Sequence, residues 1–356
     1  MNLNIKFDLY CWACDFSSNR GEGILARHYI ISLSRIKKKK IFVKTPYADY
    51  YIYNGVLKKN KADSRNQYKL NFNFFENYFY PFIGIFYLWI NYLKRRGICY
   101  LNFLPLWNIF LFLFLPPKTH LGPITGFIFK REITGFSFFL RKYLNNFLFR
   151  VSLIFLFLRQ NKIYFSTDLL KSLINKKYKN KVFFNYLLNL INIKKKIIKK
   201  NIDFLIYNRN YSVKNNLLRE KLLEILSRMN LKISVIGDHL LFKGSKNLGF
   251  VSREKTNSLL KRTKFIINSG ENPYNIFTID AFNNHSNIIY EKKFFNKVEF
   301  FEQKKIFFLN FNDENEINKI LRKKRPFTLK ASSLTKNYKN IKNEYFNYFN
   351  SVKIYY

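Results

Sequence analysis

The chain has 356 residues, room for two domains of ordinary size, each with a core of its own. Hydrophobic residues at 48% and aromatics at 19% exclude a mainly disordered chain, although 63 Lys and Arg against 22 Asp and Glu give a formal net charge of +41. Such a charge points to nucleic acid, an anionic membrane surface or an acidic substrate, while the joint abundance of Lys, Asn, Ile, Phe and Tyr also fits an A+T-rich coding sequence that raises the charge with no partner involved.

Asn2, Asn4, Lys6 and Asp8 interrupt any apolar leader, so no signal peptide is expected at the start. The stretch IKFDLYCWAC reads as a strand, DFSSNRGEG as a glycine-containing loop with Gly21 and Gly23, and ILARHYIISLSRI as a helix ended by Lys37 to Lys40. IFVKT is a second strand, and this βαβ rhythm is that of a doubly wound sheet, whose ligands sit at the carboxyl ends of its strands. Cys11, Cys14 and Cys99 are too few and of the wrong parity for a disulfide scaffold and fit a reducing compartment. Cys11 and Cys14 form a lone C-x-x-C, read as two strand-end thiols because no second pair completes a metal site.

Phe79 to Leu93 is rich in aromatics and ends in Lys94, Arg95 and Arg96, a pattern of either a core helix or a segment lying in a membrane interface. The apolar runs Phe103 to Leu115 and Phe147 to Leu158 are short of the ~20 residues of a membrane-spanning helix and read as buried core elements. Between them, HLGPITG makes a second glycine turn, in which His120, Gly122 and Thr125 are candidates for contact with a phosphate, sugar or acceptor. An ordinary Gly-Pro turn fits the same residues. The lysine-rich LINIKKKIIKKN marks a linker, which places domains at 1–185 and 202–330, a linker at 186–201 and a C-terminal helix at 331–356.

The second half alternates strand and helix: IDFLIYN, NNLLREKLLEILSRM, KISVIG, EKTNSLLKR, KFIINS, YNIFTIDAFNN, NIIYE, KKIFFLN and ENEINKILRKK. This pattern is a second parallel sheet covered by helices. Arg209 and Lys214 follow the first of its strands, where cations backed by a helix N-terminus suit a diphosphate. Glu271 follows the strand KFIINS, and Asp280 lies within the next helix; carboxylates there accept hydrogen bonds from vicinal hydroxyls. Glu271 also suits a positive helix end and Asp280 a surface position, and the segment alone leaves both readings open.

The order of these motifs resembles that of the GT-B glycosyltransferases of the glycogen-synthase-like group, group 1. NRNYSVK matches the family's Arg and Lys after a strand; VIGD, from Val235, matches its V-G-D strand end; LGFVSREKTNSLLKRTKFIINS matches its LG-V turn. ENPYNIFTIDAFNNHSNIIY matches the segment with two carboxylates, with departures. Eight residues separate Glu271 from Asp280 where the family has seven, so Asn272 is a second candidate for the first role, and His285 and Asn287 stand for the usual Gly and Pro.

The resemblance implies two Rossmann-like doubly wound parallel-sheet domains facing a cleft, with a C-terminal helix returning to the first domain. It implies a glycosyltransferase in which Arg209 and Lys214 bind the donor diphosphate, Glu271 the donor sugar and Asp280 the donor ribose. Tyr274 joins the substrate-binding set, and Gly21 and Gly23 line the cleft. The expected reaction is retaining and metal-independent, with no cofactor beyond a nucleoside-diphosphate sugar. A glycan or lipid-linked acceptor of cell-surface polysaccharide or lipopolysaccharide synthesis is expected, with the protein cytoplasmic and in peripheral contact with an anionic membrane. The rival readings are an inactive GT-B-like protein that only binds a sugar nucleotide, and a nucleic-acid-binding protein; for the latter the chain carries no recognisable RNA- or DNA-binding motif.

Overall fold

The structure is a computed structural model and describes residues 6–14, 16–17, 21–59, 76–101, 109–124, 136–160, 162–193, 199–208, 217–229, 231–240, 244–268, 273–300, 306–311, 313–321 and 334–354. It divides into two compact units, Met1–Tyr186 with Glu344–Tyr356, and Leu187–Asn343.

In the first unit the chain runs β1 (Leu9–Trp12), α1 (Gly21–Lys37), β2 (Ile41–Lys44), β3 (Asp49–Tyr53), β4 (Val56–Lys59), α2 (Glu76–Leu93), β5 (Gly97–Tyr100), α3 (Ile109–Phe114), β6 (His120–Leu121) and α4 (Phe136–Arg159), then the short pair β7 (Ile163–Tyr164) and β8 (Val182–Phe183). The six-stranded sheet has the order β4-β3-β2-β1-β5-β6. Its four strands β2, β1, β5 and β6 are parallel, as the sequence rhythm predicts, and an antiparallel hairpin extends one edge. That hairpin turns at Asn54 and Gly55, whose φ values of 48° and 78° form the tight turn an Asn-Gly pair favours.

The central strand β1 buries Leu9, Cys11 and Trp12, as a strand covered on both faces must. All three cysteines are free thiols, and Cys11 lies beside Cys99 in the β1–β5 register. Helix α2 comes so close to β1 that a Cβ at Gly84 would sit 2.1 Å from Trp12 Cδ1. Two expectations are corrected in this unit. Gly21 and Gly23 lie in the first turn of α1 and not in a loop before it, where Glu22 suits the positive end of the helix. The apolar runs around α3 and α4 are not wholly buried: Phe112, Leu156 and Phe157 enter the core, whereas Phe110, Phe147 and Leu158 stay exposed, because each helix packs by one face only.

The second unit runs β9 (Ile202–Asn208), α5 (Leu217–Ser227), β10 (Ile233–Gly237), β11 (Ser245–Asn247), α6 (Arg253–Arg262), β12 (Thr263–Ile267), α7 (Ile276–Asn283), β13 (Asn287–Glu291), β14 (Phe307–Leu309) and α8 (Glu314–Leu321). Every pairing in its sheet is parallel, in the order β11-β10-β9-β12-β13-β14. This is the doubly wound order 3-2-1-4-5-6, in which the chain leaves the adjacent strands β9 and β12 toward opposite sides. Phe204, Ile206, Val235, Ile267 and Ile289 fill the layer beneath α5. Helix α9 (Lys336–Ser351) begins in this unit and ends in the first, where Tyr348 and Phe349 pack against Tyr29.

Candidate functional site

In an open parallel sheet a ligand binds outside the carboxyl ends of the strands, where the strand order reverses. In the second unit that point lies between β9 and β12. A buried asparagine stands at the carboxyl end of each strand. Asn208 closes β9 at 2% exposure and Asn268 follows β12 at 1%. Each makes a framework from its amide. Asn208 Nδ2 donates to the carbonyls of Asp238 (3.2 Å) and His239 (3.3 Å), while the Asp238 N–H returns to the Asn208 carbonyl at 3.0 Å. Asn268 Nδ2 donates to Thr278 Oγ1 at 2.9 Å and to the Pro273 carbonyl at 3.3 Å, which Tyr290 also reaches through its hydroxyl at 2.9 Å.

The knot between β9 and β10 depends on Gly237. Its φ is +95°, and a Cβ there would lie 2.2 Å from the Asn208 carbonyl oxygen. Only glycine tolerates both conditions. The other side of the site is the start of α7. Asn275 caps that helix by accepting from the Thr278 N–H at 2.8 Å, which satisfies one of the donors a helix N-terminus leaves unpaired.

Asp280 lies one turn inside α7 and is 3% exposed. Its two oxygens accept from Arg253 Nε (2.9 Å) and Nη2 (2.7 Å), a bidentate ion pair between the first residue of α6 and α7. The carboxylate raises the pKa of the guanidinium further, chiefly through these hydrogen bonds. Asn284 continues the link by donating to Asn257 of α6 at 2.7 Å. Lys200 closes the far ends of the same two helices, donating to the carbonyls of Leu260 (3.2 Å) and Asn284 (2.9 Å); burial lowers its pKa to about 8. His285, where the family resemblance expects glycine, has φ +58°. Asn287, where it expects proline, is fully buried, and neither atom of its amide has a hydrogen-bond partner among the described residues.

Of the residues expected at this site, Arg209, Lys214, Glu271 and Asn272 lie outside the described residues. The segments that carry them, 209–216 and 269–272, leave from Asn208 and Asn268, the two strand ends at the reversal point. Tyr274 is 2% exposed, and its ring packs on Phe300 with centroids 5.1 Å apart. Sequence reasoning missed Arg253, Asn208 and Asn268. The first two carry no local signal, since their partners lie about 30 residues away; Asn268, at the end of an apolar strand, is a polar residue at a position where a core residue is expected.

The first unit has a reversal point of its own, between β1 and β5. Gly122 follows β6, and its N–H donates to the Tyr100 carbonyl at 3.0 Å. Thr125 lies outside the described residues. His120 contacts the buried Tyr29 hydroxyl through Nε2 at 2.6 Å, and Tyr29 in turn contacts the Tyr348 hydroxyl of α9 at 2.8 Å. Burial lowers the pKa of His120 to about 4 and raises that of Tyr29 well above its ordinary value, so both are neutral at pH 7. A neutral imidazole is able to accept from Tyr29, and this network ties α1, β6 and α9 together.

No protein-family model matches the chain, and no curated protein matches its sequence. Among solved structures it is similar to Anabaena HepE (Alr3699) in complex with UDP and glucose, at 11% identity over 98% of this chain and 100% of that one, with a TM-score of 0.55. It is also similar to Staphylococcus aureus TarM, at 15% identity over 85% of this chain and 62% of that one (TM-score 0.49). An α-glucosyltransferase solved with UDP and a 13-mer DNA gives 8% identity over 96% of this chain and 95% of that one (TM-score 0.48). With the strand order of the second unit and the end-to-end match to HepE, the chain has the GT-B fold.

Proposed function

We propose that the protein is a glycosyltransferase that takes its sugar from a nucleoside-diphosphate donor. One observation carries the reading: the segments with Arg209, Lys214 and Glu271 both depart from the reversal point of the second sheet, beside the capped start of α7. The HepE structure contains UDP and glucose, so UDP-glucose is the first donor to test.

In this reading Arg209 and Lys214 face the diphosphate. As the bond from sugar C1 to the diphosphate oxygen breaks, two fixed cations neutralise the charge gathering on the leaving group. One preorganised donor in such a role is worth about 2.7–4 kcal/mol. The acceptor hydroxyl oxygen forms the new bond to C1 and passes its proton to the departing phosphate, with retention of configuration. Glu271 holds donor sugar hydroxyls, with Asn272 beside it, and Asp280 accepts from the ribose through lone pairs that Arg253 does not use. The acceptor in this reading is a glycan or a lipid-linked molecule.

The test is calorimetric binding of UDP, GDP and ADP and their sugar conjugates to the native protein, Lys214→Ala and Asp280→Asn, with unfolding measured in parallel. One nucleotide bound by the native protein and lost in both folded variants supports the reading. Binding untouched by Lys214→Ala refutes the diphosphate role. A second reading, a protein that binds a sugar nucleotide without transferring it, draws on the occupancy of both Asp280 oxygens by Arg253. Donor hydrolysis or transfer that is lost in Glu271→Gln while binding remains excludes it.

A further inference from the structure

Thirteen of the nineteen large apolar side chains that stay exposed among the described residues lie on the three helices α2, α3 and α4. On α2, Phe79, Phe82, Phe86, Trp89, Ile90 and Leu93 are all exposed, at spacings of three and four that put them on one face. From Phe79 onward no polar residue of α2 is exposed, the reverse of an ordinary surface helix. On α3 the exposed residues are Phe110, Leu113 and Phe114; on α4, Leu144, Phe147, Ile154 and Leu158 join Arg150.

These faces adjoin. Trp89 of α2 donates its indole N–H to the carbonyl of Phe114 at 2.8 Å, and Arg159 at the end of α4 donates to the carbonyls of Phe112 at 3.0 Å and Leu113 at 2.9 Å. Helix α3 is thus held between the ends of its two neighbours. Apolar residues at either side of its last turn form one surface, larger than the scattered exposed side chains of a normal monomer.

The charge around this surface selects its occupant. Lys94 and Arg95 follow α2 and are exposed, as are Lys118 after α3 and Arg150 on α4; Arg96 turns its guanidinium to Asn91 and the Tyr10 ring. Between residues 77 and 167 the sequence has eleven Lys and Arg and one acid, Glu132. A second copy of the chain would bring the same cations against these, in a protein of formal net charge +41. An anionic lipid bilayer offers the opposite charge together with an apolar interior. No helix among the described residues is long and apolar enough to cross it.

We propose that α2, α3 and α4 form a docking surface for an anionic bilayer, with Phe86, Trp89, Leu93 and Phe114 entering the headgroup–acyl boundary and Lys94 and Arg95 at the headgroups. The surface lies within the first unit and does not depend on the donor reading.

The experiment is flotation of the full chain, without nucleotide, with vesicles of phosphatidylcholine alone and of phosphatidylcholine mixed with phosphatidylglycerol. Native protein is expected to float with the mixed vesicles, and F86S/L93S to lose about tenfold or more of its partitioning. Phe250→Ser, at an exposed position of the second unit, is the control and floats as the native protein does. Tryptophan emission is expected to shift to shorter wavelength on the mixed vesicles, and Trp89→Phe to abolish the shift. If F86S/L93S fails to fold, K94Q/R95Q and the Trp89 signal decide in its place, with weaker flotation and the emission shift expected. Three results overturn the proposal: folded F86S/L93S floating like the native protein, emission from Trp89 unmoved by vesicles, or a dimer in sedimentation that the same substitutions dissolve.

Discussion

Replacing Gly237 by alanine tests whether the β9–β10 knot is built as described. The residue has φ +95°, which alone costs an L-residue about 1–2 kcal/mol. A methyl group would also stand 2.2 Å from the Asn208 carbonyl oxygen, where ordinary contact begins at 3.4 Å. The obstacle is backbone at a strand end that already receives the Asp238 N–H, so it has little room to retreat. Forced overpacking of this kind costs about 1–3 kcal/mol more. The expected loss is therefore roughly 2–5 kcal/mol. Gly244 supplies the control, with φ +83° and no atom within 4 Å of a Cβ; alanine there meets the strain and not the collision. Urea unfolding of both variants isolates the steric part as their difference. Because segment 209–216 begins at Asn208, Gly237→Ala is also expected to weaken nucleotide binding while Gly244→Ala leaves it unchanged. Equal stability losses in the two variants would refute the close approach, and a Gly237→Ala loss below about 0.5 kcal/mol would refute the strain as well.

Three further expectations concern other parts of the fold. His120 has a folded pKa of about 4 against an ordinary 6.5, so the unfolded chain takes up a proton there that the folded chain refuses. Its contribution is fully present above about pH 6.5, declines as the pH falls, and levels off near pH 4; the total is at most about 3 kcal/mol, since the residue as a whole is only half-buried. His120→Asn should flatten the stability profile between those pH values, measured by denaturant unfolding, and an unchanged slope would count against a neutral buried imidazole. Arg253→Ala leaves the Asp280 carboxylate buried and unpaired, at a cost of roughly 2–4 kcal/mol given that the guanidinium is partly exposed. Arg253→Lys should recover less than half of that loss, because an ammonium cannot form the fork. Gly84→Ala would drive a methyl group to 2.1 Å from Trp12 Cδ1, at an expected cost of about 1–3 kcal/mol in thermal unfolding. A neutral result there would mean that α2 does not lie against β1 as described.

Much of the second unit was legible because parallel strands buried on both faces must be continuous apolar runs. IDFLIYN, KISVIG, KFIINS and NIIYE have that texture, and the amphipathic stretches between them mark the covering helices. Strand β11, with the residues Ser245, Lys246 and Asn247, has no such texture; it is a strand only because the edge of β10 is available to pair with it. The β3–β4 hairpin went unread although its Asn54-Gly55 turn was a local signal, flanked by β-forming residues.

At the candidate site the division follows sequence distance. Cations after one strand and carboxylates after another, in a fixed order, could be read along the chain, because strand-to-helix turns are local and the ligand end of a parallel sheet is set by strand direction. The partner of Asp280 could not, because Arg253 meets it only when α6 and α7 lie side by side. Nor could the neutral state of His120, which its burial determines, or the face of α2, since an apolar run in sequence is the same whether its outer side meets a core or water. Sequence by itself determined the order of the elements and the ends from which ligand-binding segments leave; packing between distant elements alone decided which polar groups are paired, which are charged and which apolar faces stay open.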